Sequence, residues 1–233
     1  MKLKLLFLAF LVLSTSAIVE KSPVTIYMIG DSTMANRNLK NPKNKERGWG
    51  MMLGSFFPSD KVVVSNHAAS GRSTKSFINE KRWARVVALI KPGDYVFIQF
   101  GHNDEKKENP KLYTEPGGTF DDNLRKFVNE TRAKGGIPVL FNSIVRRKFC
   151  QDAAGQFTDS LLDTHGEYLL SPKRVAEELN VPFIDMNKMT HDLVCQMGPE
   201  KSKELYMWAP RCRSCFRSGS SLPLPVQNLF HDP

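Results

Sequence analysis

Between residues 24 and 184 the chain alternates short apolar runs with longer amphipathic stretches. The runs at 24–29, 61–65, 95–100, 137–141 and 181–184 are rich in Val, Ile, Phe and Tyr, and each ends in polar or glycine-containing text. Such unbroken apolar runs suit strands whose two faces are both covered. The intervening stretches carry a helical period. Residues 75–90 place Phe77, Ile78, Trp83, Val86, Val87 and Ile90 mainly on one side, and residues 120–134 repeat this with Leu124, Phe127 and Val128. A further helix is expected over 171–179, where Ser171-Pro172 is a good start signal. Strand and helix in alternation predict an α/β fold: a parallel sheet, helices on both faces, right-handed crossovers.

Ligands of such sheets bind outside the carboxyl ends of the strands. The three most distinctive polar segments fall at three of those ends: Gly30-Asp31-Ser32, then "NHAASGRS" at 66–73, then Gly101-His102-Asn103-Asp104. A serine hydroxyl becomes a useful nucleophile only beside a base, and its tetrahedral product needs donors aimed at the oxyanion. Ser32 leaves its strand at a tight turn with its own N–H available. Gly71 has no Cβ to keep its N–H away from a ligand. Asn103 offers a side-chain amide. These three donors could surround one carbonyl oxygen.

The ends of the chain differ from its middle. Lys2 and Lys4 precede an apolar run at 5–13, and Thr15 and Ala17 suit cleavage after residue 17. Residues 1–17 are therefore expected to be a signal peptide, which places the protein in a secreted or periplasmic setting and off the membrane after cleavage. The formal charge is +9. Its lysines are scattered with no basic arm, so nucleic acid is not an expected partner, whereas a polyanionic substrate would be attracted. Cys150, Cys195, Cys212 and Cys215 carry only a weak metal or redox signal, because Cys212-x-x-Cys215 lacks a second pair.

"IGDSTMA", "NHAASGRSTKSF" and "FIQFGHNDEKK" together resemble three sequence blocks of the SGNH (GDSL-type) hydrolases, and within them the rhamnogalacturonan acetylesterases. "RGWG" at 47–50 and "SIVRRKF" at 143–149 extend the resemblance over residues 24–208. It implies a three-layer α/β/α, flavodoxin-like domain over 18–209. It implies Ser32 as nucleophile, with Ser32 N–H, Gly71 N–H and the Asn103 side chain as the oxyanion hole. The implied reaction removes acetyl groups from pectic polysaccharide through an acyl-enzyme, with no metal or organic cofactor. Arg146 and Arg147 are candidate partners for galacturonate carboxylates, and Trp49 is read as a buried tryptophan, with stacking on a sugar face as the alternative. An esterase or lipase for another acyl group, and a non-catalytic carbohydrate-binding derivative, are the competing readings.

The same resemblance calls for a fourth block, Asp-x-x-His, near the C-terminus. No Asp-x-x-His occurs in this sequence. From residue 210 the text "PRCRSCFRSGSSLPLPVQNLFHDP" has neither lysine nor glutamate and no helical or strand period. Residues 210–233 are expected to form an aberrant tail in place of the final loop and helix. The catalytic Asp and His are thus unassigned, and His67, His102, His165, His191 and His231 do not carry the required spacing.

Overall fold

The computed structural model describes residues 22–40 and 46–206. The leader at 1–17 and the tail at 210–233 lie outside the described residues.

The apolar runs form strands β1 Val24–Gly30, β2 Val62–Asn66, β3 Tyr95–Gln99, β4 Ile137–Phe141 and, after a two-strand interruption, β7 Phe183–Ile184. They pair in parallel in the order β2-β1-β3-β4-β7. The order reverses at β1, so a crevice opens between the carboxyl ends of β1 and β3, where doubly wound sheets hold ligands.

Helices α2 Thr74–Asn79, α3 Arg82–Val87, α4 Thr119–Ala133 and α5 Leu170–Leu179 cover one face of the sheet. Strand alternation sends Tyr27, Ile29, Val96 and Ile98 to that face, where they meet Phe77, Trp83, Phe127 and Val175 in the main core. The opposite parity sends Ile26, Met28, Tyr95 and Phe97 against Trp49, Leu53 and Phe57. The short helix α1 Gly50–Leu53 and one following 3₁₀ turn supply part of that cover. Val62, Val64, Tyr95 and Phe97 stay only half-buried among the described residues.

The single helix expected over 75–90 is two. Lys81 takes the left-handed conformation at φ 56° and separates α2 from α3. Glu80 pins the break by accepting from Arg72 at 3.1 Å and from Arg82 at 2.6 Å. The turn lets Phe77 and Trp83 both reach the core, at 0% and 2% exposure.

A hairpin was not expected, and the helix beside it was indicated only by the helical pattern around His191. Strands β5 Phe149–Gln151 and β6 Phe157–Leu161 form an antiparallel hairpin. Helix α6 Met186–Lys201 packs beside it and is interrupted at Gly198-Pro199. Phe149, Val145 and Val194 make a small separate core there, with Leu161 and Tyr206 against it.

Candidate active site

Ser32 stands half-buried in the turn that ends β1. Asp31, fully buried, shapes that turn: its Oδ1 accepts from the Thr33 N–H and the Thr33 hydroxyl, each at 2.8 Å. The Ala35 N–H donates back to the Asp31 carbonyl at 3.1 Å, completing one helical turn. Gly30 is dictated by space. A Cβ there would lie 2.6 Å from the Gln99 carbonyl oxygen, so any other residue would push the turn away from β3.

Hydrogen bonds draw the three loops together. The Ala69 N–H donates to the Gly30 carbonyl at 2.9 Å, which ties the loop after β2 to the end of β1. The Asn66 side chain donates to the Met34 carbonyl at 2.8 Å. Arg37 donates to the Ser32 carbonyl at 3.0 Å and to the Ser70 hydroxyl. Asn103, 3% exposed, donates one amide hydrogen to the Arg72 carbonyl at 3.0 Å and accepts from Lys106 Nζ at 2.8 Å. Its second amide hydrogen has its direction set by these two bonds. Gly71 lies exposed between Ser70 and Arg72 at φ 75°, with open space where a side chain would stand. Ser32, Gly71 and Asn103 therefore sit on loops bonded directly to one another.

The floor beneath them is Gln99, which is fully buried. Its Oε1 accepts from Trp49 Nε1 at 2.8 Å and lies 3.2 Å from the Thr33 hydroxyl, and its amide donates to the Asn142 carbonyl at 3.1 Å. Trp49 is therefore held by its indole N–H, with its ring 5.9 Å from that of Phe141. The Trp49 N–H also donates to the Thr33 carbonyl at 2.8 Å, so "RGWG" braces the serine turn. Gln99→Leu should destabilise the protein by about 2–4 kcal/mol, since each buried polar group left unpaired costs about 1–3 kcal/mol. Urea unfolding of the two proteins measures this directly. Asp104 braces the second side. Fully buried, it accepts from the Thr74 N–H at 3.0 Å, the Thr74 hydroxyl at 2.5 Å and the Thr114 hydroxyl at 2.8 Å. Burial nevertheless pushes its pKa up to about 7.

A chain of ionisable groups runs from the serine turn toward the surface. His102 Nδ1 faces Asp31 Oδ2 across 3.7 Å, and each of these buried atoms lacks a hydrogen bond. Burial raises the Asp31 pKa despite the Thr33 bonds. Burial, then the charges of His165 and Arg146, drives His102 down to about 3, so its ring is neutral at ordinary pH. The His102 ring packs edge-on against His165 at 4.5 Å. His165 Nδ1 lies 3.0 Å from the Glu105 carboxylate, which also accepts from Arg146. Burial works against the Glu105 charge, but these two partners outweigh it and hold its pKa low.

The two candidate arginines differ. Arg146, 37% exposed in its side chain, already pairs with Glu105 and the Thr164 carbonyl, so a substrate carboxylate would share it. Arg147 donates to Ser202 Oγ at 2.9 Å and to the Pro199 carbonyl and lies over the Phe149 ring, joining the hairpin to the end of α6.

The described residues supply no base for Ser32. Among the described residues no histidine hydrogen-bonds the Ser32 hydroxyl. His67 Nε2 is 2.9 Å from Ser65 Oγ, and burial lowers its pKa. His165 is buried against Ile144 and Glu105. His191 stands on α6 near Cys195 and Asp192. His231 lies outside the described residues. Nor do the described residues hold a group of three or more His, Cys, Asp or Glu placed for a metal ion.

Asp31 and Asp104 lie in the polar segments marked by sequence but were given no role there, and Arg37 and Gln99 were not singled out. Of the last two, only Gln99 left a signal, a lone amide inside the apolar run "YVFIQF".

The sequence model described as the GDSL-like Lipase/Acylhydrolase family matches residues 28–207. Rhamnogalacturonan acetylesterase RhgT of Bacillus subtilis is 39% identical over 188 residues, 81% of this chain and 75% of that protein. The probable rhamnogalacturonan acetylesterase YesY of the same organism is 34% identical over 78% of this chain and 79% of its own length. The crystal structure of YxiM from Bacillus subtilis superposes with a TM-score of 0.69 at 27% identity, covering 80% of this chain and 50% of that one. Both the sheet order and these matches lead to one assignment: the chain belongs to the GDSL-like lipase/acylhydrolase family, a family of carboxylic ester hydrolases on an SGNH-type α/β fold.

Proposed function

We propose that this chain is a serine acetylesterase for an acetylated, acidic polysaccharide of the rhamnogalacturonan type. The observation that carries the reading is the bonding of the loops bearing Ser32, Gly71 and Asn103 into one crevice. The names of RhgT and YesY supply the substrate class. In this reading Ser32 Oγ attacks the acetyl carbonyl carbon. The N–H groups of Ser32 and Gly71 and the amide of Asn103 receive the negative charge that develops on the carbonyl oxygen. Collapse releases the sugar hydroxyl and leaves the acetyl group on Ser32. Water then frees acetate. Arg146, linked through Glu105 and His165 to the His102 ring, is the proposed contact for a sugar carboxylate, and Arg147 is the second candidate. The lysine-flanked apolar leader supports a secreted or periplasmic enzyme.

The Ser32 proton needs an acceptor, and the sequence contains no Asp-x-x-His. Hydrolysis by this polypeptide is therefore proposed to be slow, because Ser32 attacks without a triad to take its proton. This same absence favours, as second reading, a derivative that binds the polysaccharide without deacetylating it.

Acetate release from acetylated rhamnogalacturonan, beside hydrolysis of nitrophenyl esters of increasing acyl length, tests the proposal. The expected result is acetate release, with acetyl esters cleaved faster than longer ones. Preference for long acyl chains would make it a lipase-type esterase. Binding of the polysaccharide with no acetate released would support the second reading.

A further inference from the structure

Arg37 connects the nucleophile loop to the oxyanion loop. Its side chain is 12% exposed. One terminal nitrogen donates to the Ser32 carbonyl at 3.0 Å, and the other donates to the hydroxyl of Ser70, the residue before Gly71. Glu46 closes the arrangement from the solvent side, with Oε2 2.9 Å from the guanidinium. Three acceptors at fixed spacing suit the planar fork of arginine, and a lysine ammonium cannot span them with the same geometry. Elsewhere the two loops meet through the Ala69 N–H on the Gly30 carbonyl and through the Asn66 side chain on the Met34 carbonyl. Arg37 alone among these contacts reaches the residues flanking the chemistry on both sides.

We infer that Arg37 is a positioning residue: it fixes the distance between Ser32 Oγ and the Gly71 N–H by clamping the Ser32 carbonyl to Ser70. The inference rests on the proposed roles of Ser32 and Gly71. It requires that loss of the clamp impair the transition state more than substrate binding, because the donor is displaced from the oxyanion and not from the ground state. A displacement of about 1 Å costs on the order of 10² in rate.

The test compares Arg37→Met and Arg37→Lys with the parent, using Ser32→Ala as the blank. Two readouts are needed: hydrolysis of nitrophenyl acetate and amide hydrogen exchange. Arg37→Met is expected to lower kcat on the order of 10²-fold at unchanged KM. Lysine at this position should recover only part of the loss, and added guanidinium should restore activity to the methionine variant. Exchange should accelerate within 31–37 and 69–72 and stay unchanged in β3 and α4. Parental kcat in Arg37→Met, or a change confined to KM, would overturn the inference. So would unaltered exchange in both loops, or acceleration spread evenly over the sheet. If the parent hydrolyses no faster than Ser32→Ala, the esterase reading fails separately, and the exchange pattern alone decides whether Arg37 clamps the loops.

Discussion

Asn103→Ala is expected to reduce kcat for acetate esters on the order of 10²–10³-fold while leaving KM nearly unchanged, as loss of one oxyanion donor does. The geometry accounts for the asymmetry. One amide hydrogen of Asn103 is committed to the Arg72 carbonyl at 3.0 Å, and Lys106 holds the amide oxygen at 2.8 Å. The side chain is thus preorganised and 3% exposed, with its remaining hydrogen directed by the protein and not by solvent. A ground-state carbonyl gains little from it, whereas a developing oxyanion gains a great deal. Steady-state kinetics with nitrophenyl acetate, after subtraction of the Ser32→Ala rate, separates the two parameters. A rise in KM at constant kcat would make Asn103 a substrate-binding group.

Phe127→Ala should have the largest effect on stability, about 3–5 kcal/mol. Phe127 is 0% exposed on α4 and touches two other aromatic rings, Trp83 at 5.0 Å and Phe100 at 5.6 Å. These rings come from three different elements or their ends, so the hole left by alanine cannot be closed by moving one of them. For a domain of this size such a loss lowers Tm by roughly 10 °C or more. Thermal unfolding monitored by circular dichroism provides the check. A shift within about 2 °C would show that α4 relaxes into the space.

The sheet was legible because parallel strands covered on both faces spell themselves as apolar runs, and four of the five main strands begin and end within one residue of the expected place. The last run, 181–184, yields a strand only at Phe183–Ile184. The break at Lys81 was not legible, since neither glycine nor asparagine marks its left-handed turn. The β5–β6 hairpin did leave a signal in Asp152 to Gly155: the Asp152 side chain accepts from the N–H groups of Ala154 and Gln156 at 2.9 Å, and Gly155 has φ 77°. Its strands, however, are short and only half-buried, and carry no apolar run.

The proposed site residues Ser32, Gly71 and Asn103 are marked by strand-end position and residue type. Their supports are not. Arg37 reads as an ordinary loop cation, and Asp31 as a turn residue. Only the fold brings Asp31 to 3.7 Å from His102, or Arg37 to both Ser32 and Ser70. Partners of this kind are distant in sequence and leave no period or spacing.

The central claim is that Ser32 is a nucleophile facing an assembled oxyanion pocket. The most direct measurement is hydrolysis of nitrophenyl acetate by the parent and by Ser32→Ala at equal concentration, both shown to be folded by their unfolding transitions. The account predicts a parental rate above that of the alanine variant, and a mass increase on Ser32 itself when the parent is quenched during turnover. Equal rates in the two folded proteins, with no acetyl group on Ser32, would contradict it.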